Sequence, residues 1–315
     1  MSARRFPVAL ALTMAAAACL LAVGCASQAP VTAEVTATPT FLSQPGASPT
    51  HQTSVTPAGR TPSQPTPTHG DENLEEEHVV TFTVVYDNNE FDPALKTSWG
   101  FACWVEARDA SVLLDTGGDG PMLLENTAAM GLDPQALDAV VLSHIHSDHT
   151  GALEGLLDTG ARPTVYAPAS FPASFREEVA ARTDLIAVTG PSDIVPGFHT
   201  TGEVQGRIVE QALVVETGDG LAVITGCAHP GVVDTVRRAQ ETYGDRIALV
   251  MGGFHLKDSR RVEIERTIEE LQALGVERVG PSHCSGDLAR MMFADAFGAG
   301  YINIGVGRVV ILGGE

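Results

Sequence analysis

From residue 78 onward, short apolar runs and longer amphipathic stretches follow one another along the chain. The short runs, bounded by polar residues, glycine or proline, predict β-strands at residues 79–86, 101–107, 111–115, 138–143, 163–166, 208–216, 221–226, 247–251, 301–304 and 307–312. The amphipathic stretches predict helices near residues 120–131, 150–157, 171–182, 231–243, 261–274 and 286–297. Early strands follow each other directly, whereas later ones alternate with helices. We therefore expect sheets covered by helices, in a domain spanning residues 78–315.

The first 25 residues have the pattern of an export signal. Arg4 and Arg5 precede an uncharged apolar run at residues 6–24, and the string LAVGC, which ends at Cys25, looks like a lipobox. This pattern predicts a lipoprotein signal peptide at residues 1–25, with lipid attached to Cys25. An uncleaved membrane anchor is the alternative, because the run is nearly long enough to span a bilayer. Both interpretations predict an exported, membrane-tethered protein on the extracytoplasmic side.

Residues 26–77 differ in composition from both neighbouring regions. They contain 8 Pro, 10 Thr and 5 Ser, with few large apolar residues. Such a segment buries too little apolar surface to offset the entropy lost on ordering. We predict a disordered linker that holds the domain away from the membrane.

The net charge of the chain argues against one class of binding partner. The formal net charge is -20 at pH 7, and 44% of the residues are hydrophobic. Affinity for nucleic acid depends on clustered Lys and Arg, so we expect no nucleic-acid partner. The expected partner is a small-molecule substrate, and oligomeric state is left open.

Potential metal ligands are most concentrated in the string SHIHSDHTGA, which starts at residue 143 at the end of a predicted strand. Side chains two positions apart at a strand end share a side, so His144 and His146 can converge on one point. Asp148 and His149 follow in the turn before the next predicted helix. Neutral imidazoles and a carboxylate suit zinc, and also iron or manganese. The cluster therefore predicts a metal site.

His-x-His-x-Asp-His after an apolar strand resembles the signature of the metallo-β-lactamase superfamily. The string SVLLDTGG resembles a strand of this family that ends in an aspartate, here Asp115. In relatives this aspartate supports the residues that bind the metal. The strings GCAHPG and GPSHCSG resemble later strand ends that bring in distant ligands. The resemblance covers residues 79–312. It implies an α/β fold, a four-layer αββα sandwich with mixed sheets.

Other strings resemble the dihydropteroate-synthase-like branch of this superfamily. They are DNN at residues 87–89, SWGFA at 98–102, TGCAHPG at 225–231, GGFHL at 252–256 and GPSHCSG at 280–286. The branch includes an archaeal enzyme of methanopterin synthesis, which joins a dihydropterin to a ribofuranosyl-aminobenzene phosphate. The resemblance implies that Asn88 and His255 face the substrate. For His255, a buried structural histidine is the equal alternative.

Carried over residue by residue, the resemblance implies two divalent metal ions, with zinc as the first choice and iron or manganese as alternatives. The implied ligands of the first metal are His144, His146 and His229. Those of the second metal are Asp148, His149 and His283. Three protein ligands and one open position are typical of a catalytic metal.

One position departs from the family pattern, because Cys227 stands where many relatives carry a bridging aspartate. In one interpretation Cys227 binds metal as a thiolate, and in another it is a small buried residue near the metals. A disulfide with Cys284 is a third alternative, which an exported location permits.

The strings LLDTGG and LLDTGA raise a rival interpretation, because both resemble the Asp-Thr-Gly of aspartic proteases. Asp115 and Asp158 are too close in sequence for each to occupy its own β-lobe. We therefore reject the protease.

The function predicted from the sequence is an exported, metal-dependent hydrolase that activates water against an ester, lactone, thioester or phosphodiester bond. Asp148 is its predicted catalytic residue, which orients the attacking water. One alternative is a transferase acting on a dihydropterin diphosphate. The other is a metal-binding lipoprotein without catalytic activity.

Overall fold

A computed structural model of the chain describes residues 79–108, 110–244 and 246–314. The signal peptide at 1–25, the lipid site at Cys25, the linker at 26–77 and the domain start at 78 lie outside these ranges and stay predictions. Within the described ranges, no helix has both the length and the apolar character needed to cross a membrane.

Seven strands form the first sheet, in the order β13-β1-β2-β3-β4-β5-β6. Pairing is antiparallel from β13 to β3 and parallel from β3 to β6, so this sheet is mixed. The strands are β1 (Val80–Asp87), β2 (Phe101–Ala107), β3 (Ala110–Leu114), β4 (Ala139–Val141), β5 (Thr164–Pro168), β6 (Leu185–Val188) and β13 (Val309–Leu312).

Six strands form the second sheet, in the order β12-β11-β10-β9-β8-β7. It is also mixed, because β10, β11 and β12 run parallel while β7 to β10 pair antiparallel. The strands are β7 (Ser192–Val195), β8 (Phe198–Thr200), β9 (Leu213–Thr217), β10 (Gly220–Thr225), β11 (Ile247–Gly253) and β12 (Arg278–Ser282).

Helices cover the outer face of each sheet. The helices are α1 (Gly120–Ala129), α2 (Ser147–Thr150), α3 (Leu153–Asp158), α4 (Ala173–Ala180), α5 (Val232–Tyr243), α6 (Arg261–Ala273) and α7 (Asp287–Phe297). One core cluster packs the two sheets together, a second joins the first sheet to α1, α3 and α4, and a third joins the second sheet to α5, α6 and α7. Burial on both faces explains the continuous apolar runs of the central strands. The predicted four-layer αββα sandwich with mixed sheets is confirmed.

Several predicted elements need correction. The strand predicted at 301–304 is wrong, because only Tyr301 forms an isolated bridge there. Its apolar pattern reflects burial of Ile304 in the core between the sheets rather than strand pairing. The prediction also omitted β6, β7, β8 and β12. The first three are short and partly exposed, and β12 contains Gly280 and Pro281, which are unusual in strands.

Candidate metal centre

The carboxyl ends of five strands carry the chemistry-bearing residues. In the first sheet, Asp115 follows β3 and the segment 143–149 follows β4. In the second sheet, the residues that follow β10, β11 and β12 are Cys227, His229, His255 and His283. Parallel strands end at the same edge, so each sheet presents its residues on one side. The side chains from the two sheets meet there.

We call His144, His146 and His229 the first group. Ring centroids lie 4.7 Å apart for His144 and His146, 4.5 Å for His144 and His229, and 4.9 Å for His146 and His229. His144 Nε2 and His146 Nδ1 are 3.0 Å apart, so these nitrogens face a common point. The structure thus brings together all three residues predicted for the first metal.

We call Asp148, His149 and His283 the second group. Asp148 Oδ2 lies 3.6 Å from His149 Nε2 and 3.4 Å from His283 Nε2. The two imidazole rings are 5.0 Å apart. The residues predicted for the second metal are therefore also adjacent, and their roles as ligands stay predictions.

Cys227 lies between the two groups. Its sulfur belongs to one cluster with His144 and His229 and to another with His149 and His283, with ligand atoms within 4.8 Å of one another. Cys227 Sγ is 3.3 Å from His149 Nε2 and 3.2 Å from Cys284 Sγ. Both cysteines are free thiols. The Cys227 sulfur is thus within reach of both groups. Contact with Cys284 and burial raise the pKa of the Cys227 thiol, and its role as a ligand stays a prediction.

Glu210 holds the first group from behind, and sequence reasoning missed it. One carboxylate oxygen accepts from the backbone N–H groups of Cys227 and Ala228, each at 2.7 Å. The other accepts from the backbone N–H of His229 at 3.0 Å and lies 2.9 Å from its Nδ1. This contact fixes the ring so that Nε2 faces the centre. The available signal was an acid inside the apolar string RIVEQALVVE.

Asp115 lies beneath the cluster. Its Oδ1 accepts from the Ser143 backbone N–H at 2.7 Å, and its Oδ2 accepts from Ser143 Oγ at 2.6 Å and lies 2.7 Å from His149 Nδ1. With Nδ1 held, His149 presents Nε2 to the second group. This is the contact that the predicted supporting role requires.

Asn88 holds His283. Its Oδ1 lies 2.8 Å from His283 Nδ1, and its Nδ2 donates to the His283 carbonyl at 3.4 Å. The amide is therefore engaged by a predicted ligand rather than directed at open space. The geometry favours a positioning role for Asn88 over the predicted substrate contact.

Burial sets the charge state of the cluster. It lowers the pKa of His144 to about 3 and of His149 to about 4, so both imidazoles are neutral near pH 7. Burial would raise the pKa of Asp148, but the adjacent His283 and His149 rings bring it below its usual range. Burial raises the pKa of Asp115 to about 7. Neutral imidazoles beside an ionised carboxylate are the forms in which these groups bind divalent metals.

Two features of the structure fit a bound metal. His283 Nε2 is buried and makes no hydrogen bond, although Asp148 is close, and a buried polar atom of this kind needs a partner. Among the non-glycine residues of the described ranges, four at this centre have left-handed backbone: Asp115, Ala228, His255 and His283, with φ of 56°, 56°, 52° and 46°. Strain of this kind concentrates at functional sites.

The metallo-β-lactamase superfamily profile matches residues 100–283, which is more than half of the chain and includes both groups. The chain belongs to the metallo-β-lactamase superfamily. A synthase of Methanocaldococcus jannaschii, 7,8-dihydropterin-6-methyl-4-(β-D-ribofuranosyl)-aminobenzene-5'-phosphate synthase, is 26% identical over 74% of this chain and 97% of its own length. The superfamily predicted from the sequence is confirmed, and the similarity to this synthase agrees with the predicted branch.

Solved structures of metallo-β-lactamase proteins resemble this chain over most of the described domain. A crystal structure of a metal-dependent hydrolase of the β-lactamase superfamily gives a TM-score of 0.60 at 27% identity, covering 73% of this chain and 98% of that protein. The metallo-β-lactamase fold protein YhfI from Bacillus subtilis gives 0.56 at 18% identity, covering 74% and 99%. The second similarity concerns the fold alone.

A cavity of about 360 Å³ opens beside the two groups of this metallo-β-lactamase domain, and its lining includes Trp99, His255 and Cys284. The His255 ring is exposed and lies 4.4 Å from the His229 ring. Of the two alternatives for His255, the structure therefore favours the residue that faces the open side. Sequence reasoning quoted Trp99 only as part of a motif and missed its position at this cavity.

Proposed function

We propose that this protein is a metal-dependent hydrolase that holds two divalent ions, with zinc as the first choice, and cleaves a small-molecule ester, lactone, thioester or phosphodiester. The observation that carries this proposal is the juxtaposition of two three-residue groups, one of His144, His146 and His229 and one of Asp148, His149 and His283, with Cys227 between them. Trp99, whose ring lies 4.6 Å from the His283 ring of the second group, lines an open cavity. A closed structural metal site needs no such opening.

Divalent ions bound at these residues would supply electrophilic polarisation and would acidify water. The protein supplies position and charge. Asp148 has a side chain that is 22% exposed, in contrast to the fully buried side chains of His149 and His283. Its low pKa keeps Oδ2 ionised, so it can accept a hydrogen bond from the attacking water and orient it. Asp115 and Glu210 fix the rings of His149 and His229 during this step.

The proposed setting is the extracytoplasmic side of a membrane, with the domain tethered through lipid on Cys25. Its support is the order of Arg4, Arg5, the apolar run at 6–24 and Cys25 in the sequence. Metabolic labelling with a radioactive fatty acid tests this part. Label is expected on the wild-type chain and absent from Cys25→Ala, and equal labelling of both chains would refute the anchor.

Transfer is the second candidate. It is favoured by the 26% identity to the archaeal synthase, which extends over 97% of that protein. A hydrolase and a transferase of this kind share the metal centre and differ in which acceptor attacks. An exported protein has poor access to cytoplasmic pterin intermediates, so we place hydrolysis first.

The test uses the full chain in detergent, loaded with zinc and assayed on a phosphodiester, a lactone, a thioester and a carboxylic ester. Hydrolysis of at least one substrate is expected, with loss of activity in Asp148→Asn. No turnover of any substrate, combined with formation of the compound named for the archaeal synthase from its precursors, would replace the hydrolase with the transferase. No activity of either kind would refute both.

A further inference from the structure

The cavity beside the second group has one wall made by residues that bind no predicted metal. Trp99 and Lys257 form this wall, with Asp258 next to them. The Trp99 ring lies 4.6 Å from the His283 ring, so the wall begins where the predicted metal ligands end. A molecule that has its reacting bond at the metal centre and extends into this cavity would contact this wall.

Trp99 is an exposed aromatic side chain at the cavity. It is 45% exposed, whereas indoles are highly buried on average. The following residue, Gly100, has φ of 140°, and a Cβ there would lie 2.4 Å from the Asp148 carbonyl oxygen. This tight approach holds the backbone next to Trp99 against the segment that carries Asp148. The indole itself contacts the His283 ring and presents an apolar surface to the cavity.

Lys257 carries a charge that no acid neutralises. Its ammonium lies 4.7 Å from the centre of the Trp99 ring and forms no ion pair within the described ranges. The nearby Arg260, by contrast, is paired with Glu263 at 2.7 Å. The Lys257 backbone is held by its N–H bond to the Cys284 carbonyl at 3.1 Å. A fixed backbone with an unpaired ammonium above an indole is a ready contact for an anion.

We propose that Trp99 and Lys257 recognise an organic anion, a molecule whose flat or apolar body lies against the indole and whose phosphate or carboxylate group pairs with Lys257. The proposal rests on the proposed function, which concerns the bond that reacts at the metals. It adds the chemical class of the part of the substrate that does not react. Among the candidate substrates, it selects those with a negative group beyond the bond that is cut. Neutral lactones and neutral thioesters lack this group.

Asp258 makes a matched control, because it lines the same cavity, is exposed, and has the opposite charge. Removing the Lys257 charge weakens attraction of an anion, whereas removing the Asp258 charge relieves repulsion. A nonspecific effect of substitution at this surface would move both variants in the same direction. The proposal requires them to move in opposite directions or Asp258→Asn to have no effect.

The test is calorimetric titration of the zinc-loaded full chain with 4-nitrobenzenesulfonate, an aryl anion that is a poor zinc ligand, and with neutral 4-nitroanisole as the uncharged probe. Lys257→Gln is expected to weaken sulfonate binding roughly fivefold, as for one partly exposed ion pair, and Lys257→Arg to restore it. Trp99→Ala is expected to weaken binding of both probes. The Lys257 effect should shrink at high salt.

Equal affinity of wild type and Lys257→Gln for the sulfonate probe, with unchanged zinc content and circular dichroism, would overturn the proposal. A similar loss in Asp258→Asn would also overturn it. Because the readout is binding, failure of the proposed hydrolysis has a separate signature, namely absence of turnover in the substrate panel while the Lys257 effect on binding remains.

Discussion

The two groups of the metal centre place their carboxylates differently. In the first group, three imidazoles face the centre, and the carboxylate of Glu210 lies behind His229 with a side chain that is only 4% exposed. In the second group, the carboxylate of Asp148 itself faces the centre and is 22% exposed, while the neutral amide of Asn88 lies behind His283. Each group thus has a carboxylate on its buried side, Glu210 behind His229 and Asp115 behind His149, but only the second group also has a carboxylate on its open side.

This difference indicates which of the two groups can take part in the reaction. A buried carboxylate that accepts hydrogen bonds from backbone and imidazole donors is saturated and can only position its neighbours. A partly exposed carboxylate beside a cavity keeps capacity for water or substrate. We therefore expect the first group to act chiefly in holding metal and the second group to act in the reaction. Substitutions behind and within each group test this division.

Asp148→Asn is expected to have the largest effect. The amide keeps the shape but loses the negative charge and the ability to accept a proton, so hydrolysis should fall on the order of 10²- to 10⁴-fold. The measurement is kcat/KM on whichever substrate the wild type cleaves, with circular dichroism to confirm the fold. Turnover equal to wild type would remove Asp148 from the mechanism.

Glu210→Gln should have the next largest effect, on metal affinity. A glutamine amide places donors against backbone N–H groups and no longer fixes His229, so binding at the first group should weaken about 10- to 100-fold. Competition with a zinc-binding dye measures this affinity. Glu216→Gln is the control, because Glu216 is an exposed residue of β9 outside the centre. Equal affinity of the two variants would contradict the supporting role of Glu210.

Asn88→Ala is expected to lower the metal affinity of the second group by about tenfold. This is the lower end of the effect expected for a residue that hydrogen-bonds a metal ligand, because the lost partner of His283 is neutral. Asn88→Asp keeps an oxygen for His283 Nδ1 and should retain near wild-type affinity. A raised KM with unchanged metal affinity in Asn88→Ala would instead support the substrate contact predicted from the sequence.

Ser143→Ala should have the smallest effect. Ser143 Oγ donates to Asp115 and lies 2.9 Å from His144 Nδ1, but Asp115 also accepts from the Ser143 backbone N–H and contacts His149. We expect a loss of about 1 kcal/mol in the free energy of unfolding, typical of one hydrogen bond, and metal affinity close to wild type. Chemical denaturation measures the first quantity. A large loss of metal affinity would mean that the hydroxyl, through its contact with His144 Nδ1, is required to orient that ring.

The local parts of this centre are predictable from the sequence, and the parts that depend on packing are not. His144, His146, Asp148 and His149 follow one strand within six positions, so strand geometry alone brings them together. His229 and His283 come from the other sheet, and their assignment depended on family resemblance. Glu210 was missed because its function comes from contacts with Cys227, Ala228 and His229, which periodicity cannot reveal.

The fold shows the same division between local and distant information. Strands buried on both faces, such as β10 and β11, were predicted because each is a continuous apolar run. The short strands β7 and β8 have exposed or partly exposed positions, and their structure depends on pairing of β7 with β8 and of β8 with β9. Pairing between distant segments has no strong local pattern, so these strands were not predicted.

The most direct test of the binuclear centre is the metal content of the purified full chain, measured by inductively coupled plasma mass spectrometry. We expect two divalent ions per chain in the wild type and about one in His146→Ala, which removes a residue of the first group and leaves the second complete. The control is Glu216→Gln, which should retain two. A wild-type chain with no more than one ion per chain after loading with zinc would contradict the two-metal account.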